Sequence, residues 1–291
     1  MKVGQRQSLA SKPRNYKKGG LALMAAPGVV VGLLFFVLPL LAVLREAFTG
    51  GGAEFSKILQ EYVFWKGLGN TVILGTVTPA ASLLVGFAVA WHLSGLSERT
   101  RTAFLFWISL PLTFSGLIIA YAFILSYGRS GFITLLLAGI GVDSATLSGF
   151  LYSPAGLGFA YSYYLIPRVV LMILPVLVNF DKNQLITAES LGASRMRAVF
   201  DIMIPQVLPT TVAAYCLVAA VAIGAYGTAL ALVGSQLNIL PLQLFSRISG
   251  TGTDFPGAAA LSVLLMFLCS LVLGIGEIYA ARREAEHGAA S

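Results

Sequence analysis

The segment ITAESLGASRMRAVFDIMIP, residues 186–205, is a polar island between two long hydrophobic runs. Gly192 is followed by Ile202 ten residues later, by Ile204 twelve residues later and by Pro205 thirteen residues later. Gly192 suits a left-handed residue that ends a helix, because glycine has no Cβ to clash there. Ser194 has the side chain that commonly caps the start of the next helix. The segment therefore predicts two short helices that meet at an angle.

Flanking residues extend this prediction in both directions. Asp181 is placed to cap the first helix, with Gln184 as a weak capping-box partner. In the second helix the apolar positions recur at i, i+3, i+4 and i+7, which predicts one apolar stripe. We expect this stripe to dock the helix against the membrane core or a partner protein; its members are Met196, Val199, Phe200 and Met203.

Composition places the segment inside a membrane protein. Hydrophobic residues make up 57% of the 291 residues and charged residues 11%, and the mean hydropathy is +0.84, far from the balance of a soluble domain. About 20 apolar residues span the hydrocarbon core as a helix. The chain is thus predicted to be an all-α polytopic protein with six transmembrane helices, at 21–44, 67–93, 103–127, 154–178, 205–233 and 257–281. The apolar run 131–142 is too short to span and is interpreted as an interfacial or re-entrant segment on the outer side.

The distribution of basic residues predicts the orientation, because cytoplasmic flanks carry an excess of Lys and Arg. Of the 19 basic residues, 13 fall on one side of the predicted membrane: Lys2, Arg6, Lys12, Arg14, Lys17, Lys18, Arg99, Arg101, Lys182, Arg195, Arg197, Arg282 and Arg283. Both termini and the polar island should therefore face the cytoplasm. This gives a basic tail at 1–20, a first helix and outer loop at 21–66, a five-helix core at 67–281 containing a cytoplasmic loop at 179–204, and a tail at 282–291.

The sequence argues against an enzyme and against a nucleic-acid partner. No phosphate-binding Gly-x-x-x-x-Gly-Lys-Ser/Thr loop occurs, and His92 and His287 are the only histidines, so no catalytic or metal-binding constellation is predicted. Cys216 and Cys269 fall within predicted spans and are interpreted as packing residues. The net charge of +7 is explained by a basic tail beside an anionic lipid leaflet.

Arg168 is the one basic residue deep within a predicted span. It lies roughly 15 to 20 Å from either end of that helix, and a charge at such depth costs several kcal/mol unless it is paired or hydrated. Two interpretations remain open: Arg168 lines a polar path, or it anchors an interface with backbone carbonyls or a partner subunit. Tyr226 and Thr228, in the glycine-containing stretch 224–228, are the other path candidates. Tyr161, Tyr163 and Tyr164 are predicted to form an interfacial aromatic belt.

The spacing from Gly192 to Pro205 resembles the signature loop of the binding-protein-dependent permeases of type I ABC importers. The similarity is greatest to the branch that serves polyamines, 2-aminoethylphosphonate, thiamine and ferric iron, which has phrases like those at 150–154 and 225–228. The family pattern opens with Glu-Ala-Ala, whose glutamate precedes the glycine by six residues; here the triplet is Ile186, Thr187 and Ala188. The resemblance implies an ATPase-coupling loop that includes Ala188, Glu189, Leu191, Gly192, Ala193, Ser194, Phe200 and Pro205.

The resemblance also implies partners and a function. We expect a non-catalytic, multi-pass subunit of the bacterial inner membrane that works with two ABC ATPase subunits, a second permease of different sequence and a periplasmic binding protein. The chain itself would hold no cofactor, since ATP and Mg would be bound by the partner ATPase. The solute would be small and polar, of the 2-aminoethylphosphonate or polyamine class. A secondary ion-coupled transporter is the alternative, although the predicted spans contain no acid except Glu277 near an end.

Overall fold

The computed structural model describes residues 27–249 and 253–289, so the predicted basic tail at 1–20 lies outside the described residues. Within these ranges the regular structure is helical. The helices are α1 (Pro27–Ala47), α2 (Ala53–Gln60), α3 (Tyr62–Ser94), α4 (Glu98–Ser109), α5 (Gly116–Tyr127), α6 (Phe132–Gly139), α7 (Ser144–Leu151), α8 (Pro154–Asn179), α9 (Asn183–Ser190), α10 (Arg195–Ala198), α11 (Ile204–Ile223), α12 (Gly227–Leu232), α13 (Leu240–Ser249) and α14 (Phe255–Ala289).

Six helical segments of the described chain are long and apolar enough to cross a membrane: Pro27–Ala47, Tyr62–Ser94, Gly116–Gly139, Pro154–Asn179, Arg195–Ile223 and Phe255–Arg283. The prediction of an all-α protein with six spanning helices is confirmed. The run at 131–142, predicted to be too short to span, forms the eight-residue helix α6. It follows α5 after a short break, and the two together make up the third apolar segment.

The third predicted span, 103–127, is wrong as one continuous helix. It divides into α4, a 3₁₀ turn at Leu110–Thr113 and α5. Pro111 has no N–H to donate to the helical ladder, and its ring disfavours the α conformation at the preceding residue. The Ser115 side chain then caps a new helix by accepting a hydrogen bond from the N–H of Ile118 at 3.4 Å. A proline and a serine cap therefore interrupt an otherwise apolar run.

The fifth predicted span, 205–233, is also interrupted. Helix α11 ends at Ile223, and α12 begins only at Gly227. The N–H of Gly224 still bonds to the carbonyl of Ala220 at 3.1 Å, whereas the next residues leave the helical ladder. The glycines of this stretch destabilise a continuous helix, which is consistent with the break.

The core lies where α3, α8 and α11 pack together. Fully buried side chains from α8 and α11 fill it, among them Leu157, Leu165, Val169, Ile173 and Val218. Helix α1 stands at the periphery, where it packs on α14. A second apolar cluster joins α1, α2, α3, α13 and α14, so the peripheral helices are attached at one end of the core.

A polar network holds α13 across the starts of α3 and α14. The Arg247 guanidinium donates to Glu61 at 2.5 Å and to Asp254 at 2.8 Å. Burial lowers the pKa of Arg247, but its hydrogen bonds to the two carboxylates outweigh burial and raise the pKa overall. The Gln243 and Asn238 amides both donate to the carbonyl of Val63. These bonds fix the short helix α13 beside the core.

Candidate functional site

Two regions contain the predicted functional residues. We name the polar segment 179–204 the elbow. Its first helix, α9, ends in a left-handed turn at Gly192, whose φ is +93°. The N–H of Gly192 bonds to the carbonyl of Glu189, and the N–H of Ala193 bonds to that of Ala188, both at 3.0 Å. This pair of bonds is the Schellman pattern, in which a glycine closes the helix and satisfies its last carbonyls.

The second helix of the elbow begins as predicted and then changes its pitch. The Ser194 side chain accepts a hydrogen bond from the N–H of Arg197 at 3.4 Å, so Ser194 is the N-cap. After the four residues of α10, a π-helical turn occupies Val199–Met203, and the N–H of Ile204 bonds to the carbonyl of Val199 five residues back. Such turns insert one extra residue into a helix. The elbow therefore continues into α11 with a shifted register.

The predicted apolar stripe is wrong as a single face. Met203 is 5% exposed and Val199 packs against the core, whereas Met196 and Phe200 are 69% and 57% exposed. Because the π-helical turn alters the spacing, only half of the stripe points inward. The predicted capping box is also absent: Asp181 accepts from the N–H of Asn183 at 2.9 Å, but the Gln184 side chain bonds to Gln206 instead.

The elbow presents apolar side chains on its outer surface. Leu191 is 85% exposed, and Ile186, which stands where the family has glutamate, is 59% exposed. Of the other predicted loop residues, Glu189 is exposed while Ala188, Ala193 and Pro205 are partly buried. Leu191 and Ile186 both lie outside the six spanning segments, so contact with lipid tails does not explain their exposure.

The second region is a cleft of about 380 Å³ at the two helix breaks. All three predicted path residues line it, so the structure brings Arg168, Tyr226 and Thr228 together from two separated segments of the chain. Its walls come from the turn before α5, from α8, and from the stretch between α11 and α12. The lining residues are Pro111, Phe114, Ser115, Gly116, Leu117, Ile119, Tyr164, Arg168, Val221, Gly224, Ala225, Tyr226, Gly227 and Thr228. None of these side chains is acidic.

Arg168 lies near the middle of α8, about 21 Å from its start and about 17 Å from its end. One guanidinium nitrogen donates to the carbonyl of Tyr164 at 2.8 Å, and the guanidinium carbon lies 5.3 Å from the centre of the Tyr164 ring. Arg168 makes no ion pair within the described residues. Its remaining N–H groups are therefore available to the cleft.

The belt prediction is wrong for two of the three tyrosines of α8. Tyr161 is fully buried and donates to the carbonyl of Ala225 at 2.9 Å, which ties α8 to the break in the fifth span. Tyr164 is 6% exposed, and its hydroxyl is fully buried beside that of Thr228. Only Tyr163, at 45% exposure, lies at the surface. Sequence patterns did not reveal Tyr164, because its burial comes from contacts with distant segments.

Close backbone contact builds the floor of the cleft. Thr228 is buried and its hydroxyl donates to the carbonyl of Gly116 at 2.9 Å. A Cβ at Gly116 would lie 2.5 Å from the Thr228 hydroxyl oxygen, so a larger residue would have to displace the Thr228 side chain. Tyr226 packs its ring against Phe245 at 5.1 Å, which links the cleft to α13. Ser115 and Gly116 are cleft residues that the sequence patterns did not single out, although serine is a preferred N-cap residue.

Comparison with known proteins identifies the family. Residues 82–284 match the family model of the binding-protein-dependent transport system inner membrane component. The chain belongs to this family of ABC importer permeases. The permease is 26% identical over 251 residues to the spermidine/putrescine permease PotB of Salmonella typhimurium strain SL1344, with 83% of this chain and 87% of PotB covered.

Other relatives carry names that refer to different solutes. Identity is 25% over 254 residues with the sulfate permease CysW of Synechocystis, covering 86% of this chain and 90% of CysW. The identity with the putative 2-aminoethylphosphonate permease PhnU of Salmonella choleraesuis is 27% over 271 residues, which cover 89% of this chain and 91% of PhnU. The fold resembles that of a chain in a bacterial alginate ABC transporter bound to its periplasmic protein, with a TM-score of 0.74, 18% identity, and coverage of 91% and 94%.

Family membership settles several predictions. The chain is a non-catalytic permease subunit, and ATP hydrolysis belongs to separate ATPase subunits. The family also implies a partner permease and a periplasmic binding protein. A secondary ion-coupled transporter is excluded by the same match. Which residues contact the ATPase, and which line the path, stay predictions.

Proposed function

We propose that this permease passes a small polar solute, of the 2-aminoethylphosphonate or polyamine class, through the cleft at the two helix breaks. The observation that carries the proposal is the convergence of Arg168, Tyr226 and Thr228 on one cleft within the spanning region. Backbone that leaves the helical ladder at membrane depth is tolerated where it is buried in protein or lines a water-filled cavity. An ionisable residue there usually marks a substrate or ion pathway.

One helix, α11, connects the elbow to the cleft. Helix α11 begins immediately after the π-helical turn of the elbow and ends at Ile223, next to Gly224 in the wall of the cleft. Its 20 residues correspond to about 30 Å of continuous helix. A displacement of the elbow by an ATPase would therefore move the wall of the cleft. The exposed apolar residues of the elbow, Ile186, Leu191, Met196 and Phe200, would form the contact with that ATPase.

We propose the following assembly around this chain. Two ATPase subunits, which bind ATP and Mg, act on the elbow and on the equivalent loop of a second, different permease. The binding protein delivers solute on the opposite side of a bacterial inner membrane. Both termini face the cytoplasm with the elbow, as the predicted distribution of Lys and Arg favours.

Reconstitution tests this proposal. The permease, its partner permease and their ATPase are placed in proteoliposomes with the binding protein, and uptake of labelled 2-aminoethylphosphonate and putrescine is measured. Uptake of one of them should require ATP and persist when ionophores collapse ion gradients. Arg168→Met should lower uptake at least tenfold, while Arg45→Met, an exposed arginine of α1, should not. Uptake that survives in Arg168→Met at the wild-type rate would contradict the assignment of the cleft.

A further inference from the structure

We infer that the cleft at the helix breaks recognises an anionic group, so that the solute carries a phosphonate, sulfate or carboxylate. The inference rests on the proposed function, because it names the substrate class of the proposed path. It depends on the hydrogen-bonding groups and the charges that line the cleft. Arg168 has N–H groups free to face the cleft, and no side chain that lines the cleft is acidic.

The available donors come from α8 and from the turn before α5. Arg168 uses one N–H on the Tyr164 carbonyl and has no carboxylate partner among the described residues. Tyr164 also lines the cleft, but its hydroxyl oxygen is fully buried beside Thr228 and offers no donor to the cleft. Ser115 accepts a hydrogen bond from Ile118, but the proton of its own hydroxyl has no recorded acceptor in the described part of the chain. Polar groups away from bulk water are normally hydrogen-bonded, so the free N–H groups of the half-buried Arg168 need a ligand or water in the cleft.

Several carbonyls near the breaks are satisfied within the protein. The carbonyls of Ala220, Ala222 and Ala225 accept from the N–H of Gly224, the N–H of Ala225 and the hydroxyl of Tyr161. The Gly116 carbonyl accepts from Thr228. The end of α11 also borders the cleft, where the backbone of Val221 and Gly224 contributes the negative end of its dipole. The cleft therefore contains backbone acceptors, but no lining side chain supplies a carboxylate.

The charge of the wall points to the same ligand class. The twelve-residue helix α5 begins at the cleft, and a helix N-terminus carries a partial positive charge that favours anions. Arg168 adds a full positive charge, and no lining side chain is acidic. A polyamine, which is a polycation, would meet repulsion from the guanidinium and find no carboxylate. An oxyanion would meet a guanidinium, the Ser115 hydroxyl and a helix start.

Charge-selective thiol modification tests this inference without reference to transport. Ser115→Cys is introduced into a permease that carries Cys216→Ala and Cys269→Ala, assembled with its partner permease and ATPase. The thiol is treated with an anionic sulfonatoethyl methanethiosulfonate or a cationic trimethylammonioethyl methanethiosulfonate. Each rate is divided by that of the same reagent with free 2-mercaptoethanol, which removes differences in intrinsic reactivity.

We expect the normalised rate of the anionic reagent to exceed that of the cationic one at least about tenfold. Arg168→Met should abolish this preference, and Arg168→Lys should keep most of it. Ser56→Cys, an exposed position on α2 outside the cleft, should show a ratio that Arg168→Met does not change. Equal rates, or a faster cationic reagent, would overturn the inference and leave the proposed path intact. If neither reagent reaches Ser115→Cys, the cleft is not an aqueous path and the proposed function fails with it.

A second variant covers the possibility that Arg168→Met disrupts folding. Arg168→Gln removes the charge but keeps an amide that can still donate to the Tyr164 carbonyl, so it should abolish the preference for the anionic reagent as Arg168→Met does. Tyr163→Phe, at an exposed position on the same helix, is the control and should keep the preference. A preference that survives in Arg168→Gln would contradict the role of the charge.

Discussion

The elbow and the cleft show two different ways in which a sequence encodes a functional region. The elbow is formed by residues that are close in sequence, and its turn depends on Gly192 and the bonds of Ala193 and Glu189. The cleft joins three segments that are far apart in the chain, and Tyr164 and Thr228 gain their roles only through tertiary packing. The elbow should therefore depend on its turn residue and on side chains that are close to it in sequence. The cleft should instead be sensitive to the fit between segments.

The largest expected effect is at the turn of the elbow. Gly192→Val forces a β-branched residue to φ +93°, a conformation that such residues avoid. The permease should still insert in the membrane, but recovery of the ATPase in a pull-down and ATP-dependent uptake should each fall at least tenfold. Gly192→Asn is the matched control, since asparagine adopts left-handed conformations more readily. Normal ATPase recovery with Gly192→Val would show that the turn is not needed for coupling.

The next effect separates the two faces of the elbow. Met203→Ala removes a buried side chain and should cost about 2 to 5 kcal/mol of stability. Phe200→Ala, at an exposed position, should leave detergent stability almost unchanged and weaken ATPase binding instead. Thermal unfolding and a pull-down of the ATPase, carried out on both variants, distinguish the two roles. A large loss of stability in Phe200→Ala would instead support the sequence prediction that Phe200 belongs to one buried apolar stripe.

A smaller effect is expected from overpacking at the cleft floor. Gly116→Val places atoms against the Thr228 hydroxyl, which should cost about 1 to 3 kcal/mol and separate α5 from α12. Gly139→Val is the control, because a Cβ there meets nothing within 4 Å. Thermal unfolding in detergent measures both. Equal stability of the two variants would mean that the close approach of α5 and α12 is not required.

Sequence patterns predicted most of the elbow and the number of spanning helices, because both depend on local signals. Glycine, a serine cap and runs of apolar residues are visible without tertiary structure. The register of the elbow was wrong, since the apolar period assumed an α-helix through the π-helical turn at Val199–Met203.

The breaks in the third and fifth spans were missed for a different reason. Hydropathy is averaged over a window, so a single proline or glycine changes it little. The segments 103–127 and 205–233 were therefore predicted to be continuous helices. Arg168 was recognised as a charge that needs compensation, because its cost follows from depth alone. Its neighbours Tyr164 and Ser115 were not recognised, since the contacts that place them in the cleft are long-range.

The most direct test of the account is to block the cleft in a working transporter. The permease with Ser115→Cys, Cys216→Ala and Cys269→Ala is reconstituted with its partners, fully modified with sulfonatoethyl methanethiosulfonate, and assayed for ATP-dependent uptake of labelled 2-aminoethylphosphonate. We predict that modification abolishes uptake, that excess unlabelled solute slows the modification, and that fully modified Ser56→Cys transports normally. Undiminished uptake after complete modification of Ser115→Cys would contradict the claim that solute passes through the cleft.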